Sequence, residues 1–168
     1  MTKQGDHPGP FDALELFRAL AQHEVEYVTI GGIAIQAHGG QRLTQDLDVV
    51  IAASTDNIAR LAAALEEVDA HILGPDGQRS KSVPSARLLG SSDQWHLTTI
   101  HGPLDVLTVP AHLGSFENIR TRAHEVPLGD LSIPIAHRDD LLEMKRVAGR
   151  PQDLADVQLL ESLDENPE

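Results

Sequence analysis

Apolar positions along the chain change their spacing in a way that separates helices from strands. Phe11, Leu14, Phe17, Leu20 and Ala21 recur at helical spacing behind Asp12, which predicts an amphipathic helix. Residues 27–30 then form a short apolar run that stops at Gly31-Gly32, a strand followed by a turn. Residues 33–38 read as a short helix closed by Gly39-Gly40. Residues 47–52 form a second strand, apolar enough for burial on both faces. Behind Ser54 or Thr55 as cap, Ile58, Leu61, Ala62, Leu65 and Val68 mark the next helix. A Gly-, Pro- and Ser-rich loop over 74–84 precedes two strands at 95–100 and 104–109, joined by His101-Gly102-Pro103. Residues 131–135 suggest another strand. The C-terminal part reads as helix 139–148, a break at Gly149-Arg150-Pro151, and helix 152–163. Alternating strands and helices with at least one antiparallel pair predict an α+β fold around a mixed sheet.

Length and charge narrow this picture. The 168 residues suit one domain over 11–163, with a flexible lead-in at 1–10 and an acidic tail at 164–168. Thirteen Lys and Arg against 26 Asp and Glu give a net charge of −13, which argues against stable DNA binding, where affinity comes from neutralising phosphates. Zero cysteines exclude disulfides, thiolate metal sites and Cys nucleophiles. No apolar run approaches the roughly 20 residues that span a bilayer, and the N-terminus lacks an export-signal core, so a cytoplasmic protein with no membrane partner is expected.

Candidate chemistry begins at Asp46-Leu47-Asp48, where the second strand starts. Carboxylates two residues apart on a strand project to the same side, about 7 Å apart along the backbone. Such pairs suit hard divalent cations. In so Asp-rich a chain the tripeptide alone carries little weight, and its setting must support it. Gly31-Gly32, between a strand and a helix, lets backbone approach a ligand closely. Arg42 and Thr44 lie just upstream of the carboxylates. No phosphate-loop or dinucleotide fingerprint is present.

The stretch over residues 30–50 resembles the signature of the nucleotidyltransferase superfamily, the DNA polymerase β-like fold. Its Arg42-x-Thr44-x-Asp46-x-Asp48 form is similar to AbiEii-type toxin nucleotidyltransferases and to lincosamide and aminoglycoside nucleotidyltransferases. The third carboxylate that this resemblance implies is Asp105, in Pro103-Leu-Asp-Val-Leu107. Lys145-Arg-Val-Ala148, Arg150, Asp153 and Asp156 resemble the C-terminal pattern of the toxin-like branch, so the match covers roughly residues 26–160. The resemblance implies a minimal nucleotidyltransferase fold with a short C-terminal helical cap. It implies transfer of a nucleoside monophosphate from an NTP to a hydroxyl, with release of pyrophosphate. Asp46, Asp48 and Asp105 would hold two Mg²⁺ ions, with Mn²⁺ as an alternative, and Asp105 would accept the hydroxyl proton. Gly31, Gly32, Arg42, Thr44 and Lys145 fall on the nucleotide side, with Arg42 equally placed for a structural ion pair and Thr44 as a brace for the carboxylate loop. Asp153 and Asp156 are expected in ion pairs with Arg150 or Arg146. The acceptor is tRNA or protein on the toxin-like reading, which brings a cognate antitoxin as partner, and a small antibiotic on the alternative. A catalytically idle nucleotide-binding or assembly module is a further alternative.

Other chemistry is thin. The nine histidines show no zinc-ligand spacing, and no serine-hydrolase elbow occurs. The basic loop residues Arg79, Lys81 and Arg87 suit either a solvated surface or a guide for an anionic acceptor.

Overall fold

A computed structural model of the chain describes residues 9–163. The expected acidic tail and most of the expected lead-in lie outside the described residues; of the lead-in, the Gly9 N–H donates to the Thr99 carbonyl at 3.3 Å. Helix α1 (Ala13–Gln22) is capped by Asp12, whose carboxylate accepts from the Glu15 amide at 3.3 Å, and its apolar stripe buries Leu16, Phe17 and Leu20. Strand β1 (Tyr27–Ile30) passes directly into α2 (Gly31–Ala37), which starts two residues before the apolar pattern does. Strand β2 (Leu47–Ile51) leads to α3 (Thr55–Glu67), capped by Ser54. The short elements β3 (His71–Ile72) and α4 (Ala86–Leu89) flank the loop that carries Arg79 and Lys81.

The hairpin β4 (Gln94–Thr99) and β5 (Gly102–Thr108) turns at Ile100-His101, not at 101–103. Gly102 takes φ of +99°, and Thr99 Oγ1 donates to its carbonyl at 2.7 Å while accepting from the His101 amide at 2.9 Å. Beyond a 3-10 turn at Ala111–Leu113 come α5 (Phe116–Arg122), β6 (His124–Leu128) and β7 (Leu131–Ile135). The chain closes with α6 (Arg138–Ala148) and α7 (Pro151–Ser162). Gly149 ends α6 in the left-handed region at φ +63°, and Pro151 opens α7 at its first position.

The strands form one seven-stranded sheet in the order β3-β4-β5-β2-β1-β7-β6. β2 runs parallel to β5 and β1 parallel to β7, while the remaining pairs are antiparallel. This is the mixed α+β architecture that the sequence predicts. Strand β1 is buried along its whole length, and in the central strand β2 every residue but Asp48 is buried. Each fully buried aliphatic side chain there contributes about 1.5–3 kcal/mol. Asp48 is the single polar residue of β2, and the rigid centre of the sheet therefore fixes its position. α6 packs against α7, and α6 also touches the 3-10 turn after β5, so the C-terminal helices stand beside the sheet at the carboxyl end of β5.

Candidate active site

The register of the sheet assembles the carboxylates. Asp48 pairs with Asp105 across the parallel β2–β5 ladder, and neighbours in register share a face. Leu47 and Val49, on either side of Asp48, point into the core at 0% exposure, which sends Asp48 to the opposite face. Asp46 stands two residues ahead of it on the same side. Asp46, Asp48 and Asp105 each offer an oxygen within 4.8 Å of the others. Thr44 Oγ1 donates to Asp46 Oδ1 at 3.0 Å or to the Asp46 carbonyl at 3.1 Å, and so braces the loop that carries Asp46.

Three carboxylates this close repel one another. Burial, reinforced by the charges of Asp46 and Asp105, pushes the Asp48 carboxyl up to about 8. The cluster therefore favours a proton or a cation, and three convergent carboxylate oxygens are the donor set that hard divalent ions take. The residues present fit such an ion.

Gly31 sits at φ +69°, and a Cβ there would lie 2.1 Å from Asp48 Oδ2. A Cβ on Gly32 would lie 2.6 Å from an Arg42 terminal nitrogen and 2.7 Å from Thr44 Cβ. Both glycines are buried, and the space each leaves is filled by a residue of the Asp46–Asp48 segment or the loop before it. Both also line a cleft of about 410 Å³ in front of the carboxylates, together with Arg42, Thr44 and Lys145.

The opposite wall of that cleft is cationic. Lys145 Nζ lies 3.3 Å from Asp153 and 2.9 Å from Asp156, Arg42 Nε lies 2.7 Å from Asp156, and Arg150 Nε lies 2.7 Å from Asp153. Asp153 and Asp156 are buried, at 1% and 3% exposure. Three cations thus share two buried carboxylates, which leaves positive charge in excess. The Arg150 guanidinium, then Lys145, hold the Asp153 carboxyl below the usual carboxylate range against the cost of its burial. Arg146 pairs with Glu161 instead, at 2.5 Å. Of the basic loop, neither Arg79 nor Lys81 nor Arg87 lines this cleft.

Two residues enter the site that the sequence does not place there: Arg150, expected only as an ion-pair partner, and His96. Arg150 lines the cleft, and His96 faces Asp105 across the antiparallel β4–β5 pair with Nδ1 2.8 Å from Asp105 Oδ1. The hairpin register is the signal that identifies His96.

No protein-family model matches this chain, and no curated protein matches it at significant similarity. Solved structures do. The lincosamide antibiotic adenylyltransferase LnuA, lincomycin-bound, aligns over 92% of this chain and 99% of its own, with TM-score 0.60 and 16% identity. ANT(2")-Ia in complex with adenylyl-2"-tobramycin aligns over 90% of each chain, with TM-score 0.58 and 12% identity. An antigenic nucleotidyltransferase-like protein from Paracoccidioides brasiliensis aligns over 94% of this chain and 78% of its own, with TM-score 0.54 and 17% identity. The chain has the fold of the nucleotidyltransferases. No helix among the described residues is long and apolar enough to cross a membrane.

Proposed function

We propose that this chain transfers a nucleoside monophosphate from an NTP to a hydroxyl acceptor and releases pyrophosphate. The observation that carries this reading is the meeting of Asp46, Asp48 and Asp105 within 4.8 Å, on a nucleotidyltransferase fold, at a cleft whose far wall holds Lys145 and Arg150. Asp46, Asp48 and Asp105 would hold Mg²⁺ or Mn²⁺, which would supply Lewis-acid stabilisation of the negative charge that develops during transfer. Arg42, Lys145 and Arg150 set the positive potential that receives the triphosphate, along a floor formed by Gly31 and Gly32 and braced by Thr44. The acceptor oxygen bonds to the α-phosphorus, the bond from that phosphorus to the bridging oxygen breaks, and the hydroxyl proton goes to Asp105.

A small hydroxylated molecule is the acceptor favoured here. Support comes from LnuA and ANT(2")-Ia, whose structures hold lincomycin and adenylyl-2"-tobramycin and whose lengths this chain nearly matches. The toxin-like reading, with tRNA or protein as acceptor and an antitoxin as partner, rests on the Lys145–Asp156 pattern. Those residues have a sufficient local role in the buried ion network, and the −13 charge works against a large RNA.

Incubation with each α-labelled NTP, Mg²⁺ and separate pools of hydroxylated antibiotics, tRNA and protein tests the reading. Label is expected in the small-molecule pool and absent with Asp48→Asn. Label in tRNA or protein selects the toxin-like alternative. Absence of metal-dependent NTP binding refutes transfer and leaves an idle module.

A further inference from the structure

The carboxylates stand between two clefts, and the second has a different chemistry. It measures about 480 Å³, shares Asp48, Asp105, Lys145 and Arg150 with the first, and opens on the His96 side of Asp105. Its aliphatic lining comprises Leu107 from the sheet and Met144 and Val147 from α6, with the buried Val50 and Leu141. Gln94, His96 and His112 add hydrogen-bonding groups to its lining. Among the described residues the only acids that line it are Asp48, Asp105 and Asp153. Asp153 is buried and paired with Arg150 and Lys145, while Asp48 and Asp105 belong to the metal-holding cluster. Among the described residues no carboxylate of this cleft is therefore free to receive an ammonium group, and its cations, Lys145 and Arg150, are themselves paired with buried carboxylates.

We infer that this second cleft selects the acceptor, and that the acceptor is a small amphiphile: one hydroxylated face presented to Asp105, one apolar face laid on Leu107, Met144 and Val147, and at most one positive charge. A volume of this size takes a drug-sized molecule. Polycations are disfavoured because each ammonium would lose water without a partner. Nucleic acid is disfavoured because the cleft's two cations, Lys145 and Arg150, are paired with Asp153 and Asp156 and are the ones that the transfer reading assigns to the triphosphate. This inference rests on the transfer reading above, and names the substrate class for it.

Calorimetric titration of the wild-type protein with lincomycin, tobramycin and a short RNA, in Mg²⁺ with and without α,β-methylene NTP analogues, tests it. Lincomycin serves as the amphiphilic probe, tobramycin as the polycation. Lincomycin is expected to bind at least tenfold more tightly than tobramycin, with no binding by RNA. Val147 is 58% exposed, so Val147→Asp folds normally by melting temperature. That variant is expected to lose about tenfold in lincomycin affinity and to gain affinity for tobramycin. Leu107→Gln is expected to weaken lincomycin by a similar factor. Equal or tighter binding of tobramycin or RNA by the wild type overturns the inference, as does binding of none of the three probes or an unchanged preference in both variants. Lincomycin binding without any metal-dependent binding of the NTP analogues refutes the transfer reading instead.

Discussion

Asp105 and His96 stand opposite each other on adjacent antiparallel strands, with His96 Nδ1 2.8 Å from Asp105 Oδ1. An ionised carboxylate can only accept, so the imidazole Nδ1–H donates. That bond occupies one oxygen and fixes the carboxyl rotation, which on the proposed reaction leaves the other oxygen for the cation and the acceptor proton. On that reaction His96 acts as a positioning residue, and supporting groups of this kind typically cost 10–100-fold when removed. His96→Ala is expected to lower kcat about tenfold with little change in the KM for NTP. His96→Asn, whose amide nitrogen can take the place of Nδ1, is expected to restore most of that loss. Full activity in His96→Ala would remove the role.

The metal-free protein is expected to lose stability as pH rises. Asp48 titrates at about 8 in the fold and near 3.9 in the unfolded chain, so between those values the folded state carries the extra proton. Unfolding free energy then falls with pH across that window, and the stability tied to the protonated carboxyl is gone above about pH 8. Melting in EDTA should show a falling Tm from pH 6 to pH 9, flattened in Asp48→Asn. Added Mg²⁺ should raise the wild-type Tm more at pH 8.5 than at pH 6, because at low pH the ion must displace the proton. A pH-independent Tm in EDTA would contradict the crowding of the three carboxylates.

Asp156 balances Arg42 at 2.7 Å and Lys145 at 2.9 Å from an almost fully buried position. Removing one partner from such a group strands the others, at a cost of about 3–5 kcal/mol. Asp156→Ala is expected to lower the urea midpoint accordingly with an unchanged slope, and to raise the KM for NTP as Arg42 and Lys145 lose their anchor. A loss under about 0.5 kcal/mol would mark the network as solvent-screened.

Much of this site is legible in the sequence, for a physical reason. Asp48 interrupts an otherwise apolar strand just after Asp46 at its entry, and Asp105 interrupts another, so each stands out against a pattern that burial imposes. His96 does not stand out, because its significance lies in pairing. A hairpin closed by residues 101–103 sets Thr99 opposite Asp105, whereas the observed turn at Ile100-His101 sets His96 there. A shift of three residues, an odd number, exchanges the set of β4 side chains that shares the face of Asp105, since side chains alternate with a period of two. The short elements β3, α4, α5 and β6 are illegible for another reason. α5 buries only Ile119, and the described edge strand β6 buries none of its residues and carries Pro127, so neither has an apolar face to generate a period.

The two glycines separate backbone strain from simple crowding. At Gly31 a methyl group meets both obstacles: the left-handed φ of +69° and Asp48 Oδ2 at 2.1 Å. Asp48 cannot retreat, because β2 is fixed by its pairing to β1 and β5. Gly31→Ala is therefore expected to destabilise the fold by about 1–3 kcal/mol and to abolish Mn²⁺ binding read by electron paramagnetic resonance. At Gly32 the φ is ordinary, and the nearest obstacle is the end of the flexible Arg42 side chain, although Thr44 also lies close. Gly32→Ala should keep Mn²⁺ binding within a few-fold of wild type while weakening the NTP, since Arg42 and Thr44 must shift and Asp48 need not. Loss of Mn²⁺ binding in both variants alike would show that the two glycines act together as one turn. Loss confined to Gly31→Ala would assign Gly31 to the carboxylate cluster and Gly32 to the nucleotide cleft.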